Sequence, residues 1–383
     1  MDTSNHLSTN LVAGALTSTH LNIRTLMPLL LAVLAQTSGF GEAQLGDLGA
    51  AYSAGATIAA MTSVVWMRGL WMRLPAALML AVGLAGMGGT LWVHDYAGLM
   101  LLFVLAGVGH GGVFALMIAL LARTDDPNRS YGWQWCLGSV PGVVLVYAAP
   151  ALTTQANALW MNFGLLLGVN ALIGLAVLRL PIRVKPLPGS LADRVQQPTA
   201  VHWPLFAGLF AVFAIYSGVT VAWAFLGRIA VAQGLVGQFP GVVLAVATAV
   251  SAIVSLFAGE LGNRGARPAA MVFAVVVILL GFGLLAMWPG RVGYAVGTVA
   301  SIALAGFVLP FGISLAARLD VTGRAAGLPA AALGVGAITG PAIAGHVYQA
   351  AGSAAMLSVA SATIAAGLVA YLMVYGRAYL IRR

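Results

Sequence analysis

The apolar stretch from Asn10 to Gln36 carries His20, Asn22 and Arg24 near its middle. It exceeds the roughly 20 residues, at about 1.5 Å rise each, that a helix needs to cross a bilayer. A charge at that depth costs at least about 2.5–3.5 kcal/mol and is tolerated where it faces protein or a wet cavity. Thr17, His20 and Arg24 are spaced three and four apart, so a helix places them on one face. The first span therefore presents a polar stripe with a fixed cation at mid-depth. The remaining chain must build a cavity around it.

The rest of the composition agrees with a bilayer as solvent. Of 383 residues, 61% are hydrophobic and only 7% are charged, with a mean hydropathy of +0.98. Soluble domains carry about 25% charged residues. The single cysteine, Cys136, excludes an internal disulfide and a cysteine-based metal site. The N-terminus lacks a basic region followed by a short apolar core and a cleavage site, so the first span is expected to stay in the protein.

Hydropathy, broken at Gly, Pro and charge, predicts twelve helical spans over 9–35, 44–66, 74–93, 97–122, 131–151, 157–180, 203–231, 239–260, 268–288, 293–317, 324–350 and 353–376. Residues 181–202 are polar and Pro-rich and read as a linker. The expected organisation is a six-helix half over 1–180, the linker, and a second six-helix half over 203–383. With a cytoplasmic N-terminus, 15 of the 18 basic residues fall in cytoplasmic loops and the tail; only Arg24, Arg228 and Arg291 do not. That asymmetry predicts both termini and the linker on the cytoplasmic side, and it accounts for the +9 net charge without nucleic acid. Trp92, Trp203 and Trp288 near span ends read as interfacial residues.

Two motifs carry a family resemblance. Gly259-Glu260-Leu261-Gly262-Asn263-Arg264-Gly265-Ala266-Arg267 follows the eighth span and resembles the cytoplasmic loop signature of the major facilitator superfamily. In the eleventh span Gly327, Gly336, Gly340-Pro341 and Gly345 fall at the spacing of that superfamily's glycine-proline signature. Phe103 stands where many relatives place an arginine linked to proton coupling. The resemblance covers the whole chain. It implies an all-α membrane fold of twelve transmembrane helices in two pseudo-symmetric halves, working by alternating access. It also implies that spans 1, 4, 7 and 10 line a central cavity.

The residues place a candidate site in that cavity. Arg24 lies about 21 Å along the helix from Asn10, and His110 lies about 20 Å from Arg123, at equal depth. Tyr216, Thr220 and Trp223 in the seventh span, with Ser301 and Phe307 in the tenth, fall near the same level. Arg24 is expected to hold an anion, a carboxylate first, through its planar fork. His110 or His20 donates a hydrogen bond, and Tyr216 and Trp223 pack an apolar body. A histidine that takes a proton together with its anion would supply proton coupling. Two alternatives stand beside this: Arg24 as a structural residue bonding backbone carbonyls of a neighbouring helix, and efflux of lipophilic compounds across a Met- and aromatic-rich cavity. His346, Arg228 and Glu42 lie toward the external end, the last two as a gate or as solvated charges.

Enzyme chemistry finds no support. There is no nucleophile–base pair, no metal cluster and no phosphate-cradling loop. Asp125-Asp126 with Asn128 reads as a turn beside Pro127. No catalytic residue, cofactor or metal is expected. The expected partners are a small-molecule substrate, a coupling proton and membrane lipids, in a monomeric multi-pass protein of the cytoplasmic (inner) membrane.

Overall fold

In the computed structural model the chain is described over residues 6–66, 71–121, 124, 127–154, 156–182, 203–263, 267–319 and 328–380. The N-terminal set of helices is α1 (His6–Ser38), α2 (Glu42–Trp66), α3 (Arg73–Gly89), α4 (Tyr96–Leu121), α5 (Pro127–Leu152) and α6 (Leu165–Gly174). A π turn at Trp160–Gly164 leads into α6 and a 3-10 turn at Leu175–Arg179 leaves it. The C-terminal set is α7 (Trp203–Ala232), α8 (Phe239–Asn263), α9 (Arg267–Met287), α10 (Arg291–Leu319) and α11 (Leu328–Leu380). Eight helices among the described residues are long and apolar enough to cross a membrane.

The expected break between 350 and 353 is present, but without a loop. Gly352, at φ 82° and ψ 177°, interrupts α11 between two arms. That conformation is open to glycine and closed to L side chains, so the chain reverses direction in a single residue. Gly39, at φ 69°, performs the same service between α1 and α2. Both lie on one end of the bundle, the turn face, together with the short connections at residues 90–95, 233–238 and 288–290. Trp92, Trp203 and Trp288 are all exposed, as interfacial residues should be.

Among the described residues the two sets are joined chiefly by α2 with α11, α5 with α8, and α1 with α7. Lipid gives no hydrophobic drive for helices to associate, so close packing through small residues has to hold these seams. The structure does this with glycine set against backbone. A side chain at Gly46 would strike the Pro341 carbonyl, and one at Gly345 would strike the Glu42 carbonyl. Gly241 of α8 lies where a Cβ would come within 2.6 Å of both Val146 O and Pro150 Cγ of α5. Down the α2–α11 seam, Gly334 meets Thr57. One residue and one turn beyond Thr57, Ile58 and Met61 are 54% and 59% exposed. The sets are thus closed against each other from the turn face to about that level.

The glycine-proline stretch serves two seams at once. Gly345 and Pro341 face α2, while Gly336 faces Phe213 O and Ser217 N of α7, and Gly340 faces the Thr220 hydroxyl. Of the loop signature, Gly259, Asn263 and Arg267 sit at the adjoining ends of α8 and α9 with their side chains outside the described residues. Arg264, Gly327, the loop 67–70, Asp125-Asp126 and linker residues 183–202 lie outside them altogether.

Gly46→Ala is expected to lower stability by about 1–3 kcal/mol, the usual cost of forcing a group into a packed contact. Gly283→Ala, whose Cβ meets nothing within 4 Å, is expected to be neutral or slightly stabilising. Thermal unfolding of the detergent-solubilised variants measures the difference.

Candidate functional site

Between Leu16 and Leu34 every residue of α1 is buried except Arg24. Between Ala211 and Ala230 only Phe213, Tyr216, Trp223 and Arg228 of α7 keep partial exposure, and the first three share a helical face. These openings converge. The Arg24 guanidinium carbon lies 5.3 Å from the centroid of the Tyr216 ring. That is a cation–π contact, which holds a guanidinium without neutralising it. Among the described residues no carboxylate lies within ion-pairing distance of Arg24. A partly exposed mid-span cation on an aromatic platform is therefore free to meet an anion.

The backbone of Arg24 is committed elsewhere. Pro28 stands inside α1, and proline has no N–H to give the carbonyl four residues before it. That carbonyl belongs to Arg24. The indole Nε1 of Trp223 donates to it at 2.8 Å, across from the C-terminal set. One turn along α7, a side chain at Gly227 would strike the Pro28 carbonyl, so the two backbones touch there. The next residue, Arg228, forks onto Glu42 of α2, with Nε 3.0 and 3.1 Å and Nη2 2.5 Å from the carboxylate oxygens. The Glu42–Arg228 pair is thus a bridge between the two sets. Around it, Gln349 Oε1 accepts from the Ala43 N–H at the start of α2, His346 Nε2 lies 3.4 Å from Asp47 Oδ1, and Tyr96 donates to Asp47 Oδ2 at 3.0 Å.

His20 lies one turn before Arg24, clamped between the near-parallel rings of Tyr52 and Phe114 at 5.7 and 5.1 Å. Its Nδ1 is 2.8 Å from the Tyr52 hydroxyl, which is only 3.4 Å from the His20 carbonyl. When the hydroxyl donates to Nδ1, the ring proton of neutral His20 sits on Nε2, which has no hydrogen-bond partner among the described residues and is then a donor beside Arg24.

The structure places His110 in the helix packing, apart from the opening at Arg24. Equal depth did not mean a shared cavity. His110 is fully buried, with Nδ1 2.9 Å from its own helix at Ala106 O and Nε2 3.5 Å from Asn170. Its ring fills the space left by Gly83 of α3. It belongs to a buried polar network in which Asn170 donates to the Thr19 carbonyl at 2.9 Å and accepts from Asn22 at 2.8 Å. Thr220 is likewise spent on packing, with its hydroxyl shared among Tyr216 O, Ser217 O and Gly336 O of α11. Ser301 bonds within its own helix, and Phe307 is buried in the core. Arg24, His20, Tyr216 and Trp223 are brought together; His110, Thr220 and Phe307 are not exposed beside them.

Sequence reasoning missed Tyr52 and Asn170, which fix His20 and Asn22, and the pairing of Pro28 with Trp223. For the last a signal existed: proline four residues after a mid-span residue announces an orphan carbonyl. Asn170→Leu is expected to lose about 1–2 kcal/mol, since it strands the Asn22 amide and the Thr19 carbonyl together. Thermal unfolding checks this.

No family model matches the chain. Mouse monocarboxylate transporter 11 is 29% identical over 305 residues, covering 73% of this chain. The match spans 66% of that protein, just under two thirds of its length. Among solved structures, a point mutant of the nucleoside transporter NupG superposes with a TM-score of 0.74 at 13% identity, over 97% of this chain and 99% of that one. The human organic anion transporter MFSD10 superposes with a TM-score of 0.64 at 17% identity, over 96% and 99%. These similar proteins are transporters and not enzymes. The helix order, the glycine-packed seams between two sets of helices and these superpositions together give the chain the fold of the major facilitator superfamily of membrane transporters.

Proposed function

We propose that the chain is a secondary carrier of a small organic anion, a monocarboxylate first, across the cytoplasmic membrane by alternating access. Arg24 receives the anionic group, neutral His20 donates to it through Nε2, and Tyr216 and Trp223 pack its apolar body. The observation that carries this reading is Arg24 itself: a partly exposed mid-span guanidinium, laid over Tyr216 and without an acid partner among the described residues. One positive charge at the site matches one negative charge on the solute. Two of the similar proteins are named for monocarboxylates and for organic anions, which supports the class. A third is named for nucleosides, and these belong in any test panel.

The proposal includes twelve spans in two pseudo-symmetric halves, 1–180 and 203–383, joined by the linker 181–202. Cross-contacts that pair α2 with α11 and α5 with α8 support two related halves. The basic-residue asymmetry supports cytoplasmic termini and linker. The turn face is then external, and the chain is closed outside and faces inward, as a monomer. The halves rock about Arg24 to expose it to one side at a time.

A thermal-shift panel of carboxylates, sulfonates, nucleosides, sugars and cationic drugs tests the substrate class. A solute that binds the folded state raises its apparent stability with concentration. Stabilisation by carboxylates that disappears in Arg24→Ala is the expected result. Stabilisation by nucleosides or drugs alone, unchanged in that variant, overturns it. Proton coupling through His20 predicts uptake that rises as external pH falls and loses that dependence in His20→Gln, measured in proteoliposomes. Uptake indifferent to pH in the unaltered protein overturns the coupling.

A further inference from the structure

We infer that Trp223 is a positioning residue acting through the Arg24 backbone, and that Pro28 and Trp223 form a latch tying the Arg24 site to closure of the turn face. Pro28 takes away the N–H that would have served the Arg24 carbonyl. In a membrane interior an orphaned carbonyl has no water to turn to and must find a protein donor. The indole N–H, a donor that never accepts, supplies the bond at 2.8 Å. The contact exists because a proline in one set of helices created an acceptor that a tryptophan in the other set fills.

Its position gives it consequence. Along α7 the order is Tyr216 under the Arg24 guanidinium, Trp223 on the Arg24 carbonyl, Gly227 against the Pro28 carbonyl, and Arg228 on Glu42. Trp223 thus stands between the site and the ion pair at the turn face. If the sets part at that face, the indole leaves and the carbonyl is exposed to the opening cavity. Residue 24 accordingly works at two ends. Its side chain meets the solute and its carbonyl holds the closed seam, so a shift of α1 at the site is felt at the latch. The latch stands on the bond and the seam alone and does not depend on the substrate class proposed above.

The test is a cycle of Pro28→Ala and Trp223→Phe in full-length protein carrying Cys136→Ser and a reporter, Ala32→Cys. Ala32 is buried on α1 one turn beyond Pro28, its Cβ 3.4 Å from where a Gly227 side chain would begin. A charged methanethiosulfonate reagent then reports opening of the turn face, in detergent and with no solute present. Trp223→Phe keeps the ring and removes the N–H. It is expected to speed labelling by about fivefold, the population shift of one net hydrogen bond. In the Pro28→Ala background residue 28 regains its N–H and serves the Arg24 carbonyl inside the helix. There Trp223→Phe is expected to change labelling by less than about twofold. Equal acceleration in both backgrounds would show that the ring and not the carbonyl bond matters, and overturns the latch. So does no acceleration in either. If Trp223→Phe yields folded protein only with Pro28→Ala, that rescue is the same non-additivity and supports the latch; failure to fold in both backgrounds overturns it. Because no solute enters the assay, its outcome is separate from that of the anion panel.

Discussion

The Trp223 indole and the Arg24 carbonyl meet at 2.8 Å where helices from the two sets cross. The bond follows from a constraint that governs the whole chain. A bilayer interior offers no water, so each polar group must be met by the protein itself. Pro28 breaks the rule locally by withholding a donor, and the repair comes from the opposite set of helices rather than from a neighbour. Two bodies that otherwise touch through small residues are thereby joined at mid-depth by a directional contact. The guanidinium of the same residue lies over Tyr216 of the same partner helix.

The same constraint explains the buried network behind α1. Asn170 joins the Asn22 amide, the His110 ring and the Thr19 carbonyl in a region without solvent. They pin α1 to α4 and α6 on the face away from α7. Arg24 projects from the opposite face of that helix. At the turn face several polar contacts instead cross between sets, with α2 as their common anchor. Glu42 takes Arg228, Ala43 takes Gln349 and Asp47 faces His346. Contacts of that kind are partly wet.

Depth and azimuth differ in how far a sequence reveals them. Counting residues from a span end placed Arg24 and His110 at one level, and the structure keeps them in adjoining helices. It could not say which way each side chain turns. His110 lies against Gly83, and the glycines on either side of it are close contacts of α4 with α2 and α3. Thr220 went the same way, since Gly340 lets α11 come down onto its hydroxyl. Arg24 was legible because a lone mid-span charge has few tolerable environments. A histidine or threonine has many.

Composition and spacing determined by themselves that the chain is helical, that it lives in a bilayer, where its helices begin and end within a few residues, and that Arg24 must face protein or cavity. These follow from local rules: apolar length, the reach of a helical rise, and the cost of charge in hydrocarbon. Only the tertiary structure decided that Tyr52 orients His20, that Trp223 answers Pro28, that Glu42 pairs with Arg228 and that His110 is interior packing. Each of these joins residues from different helices. The rotation of one helix against another is set by glycine contacts spread along whole seams, which no single stretch of sequence contains.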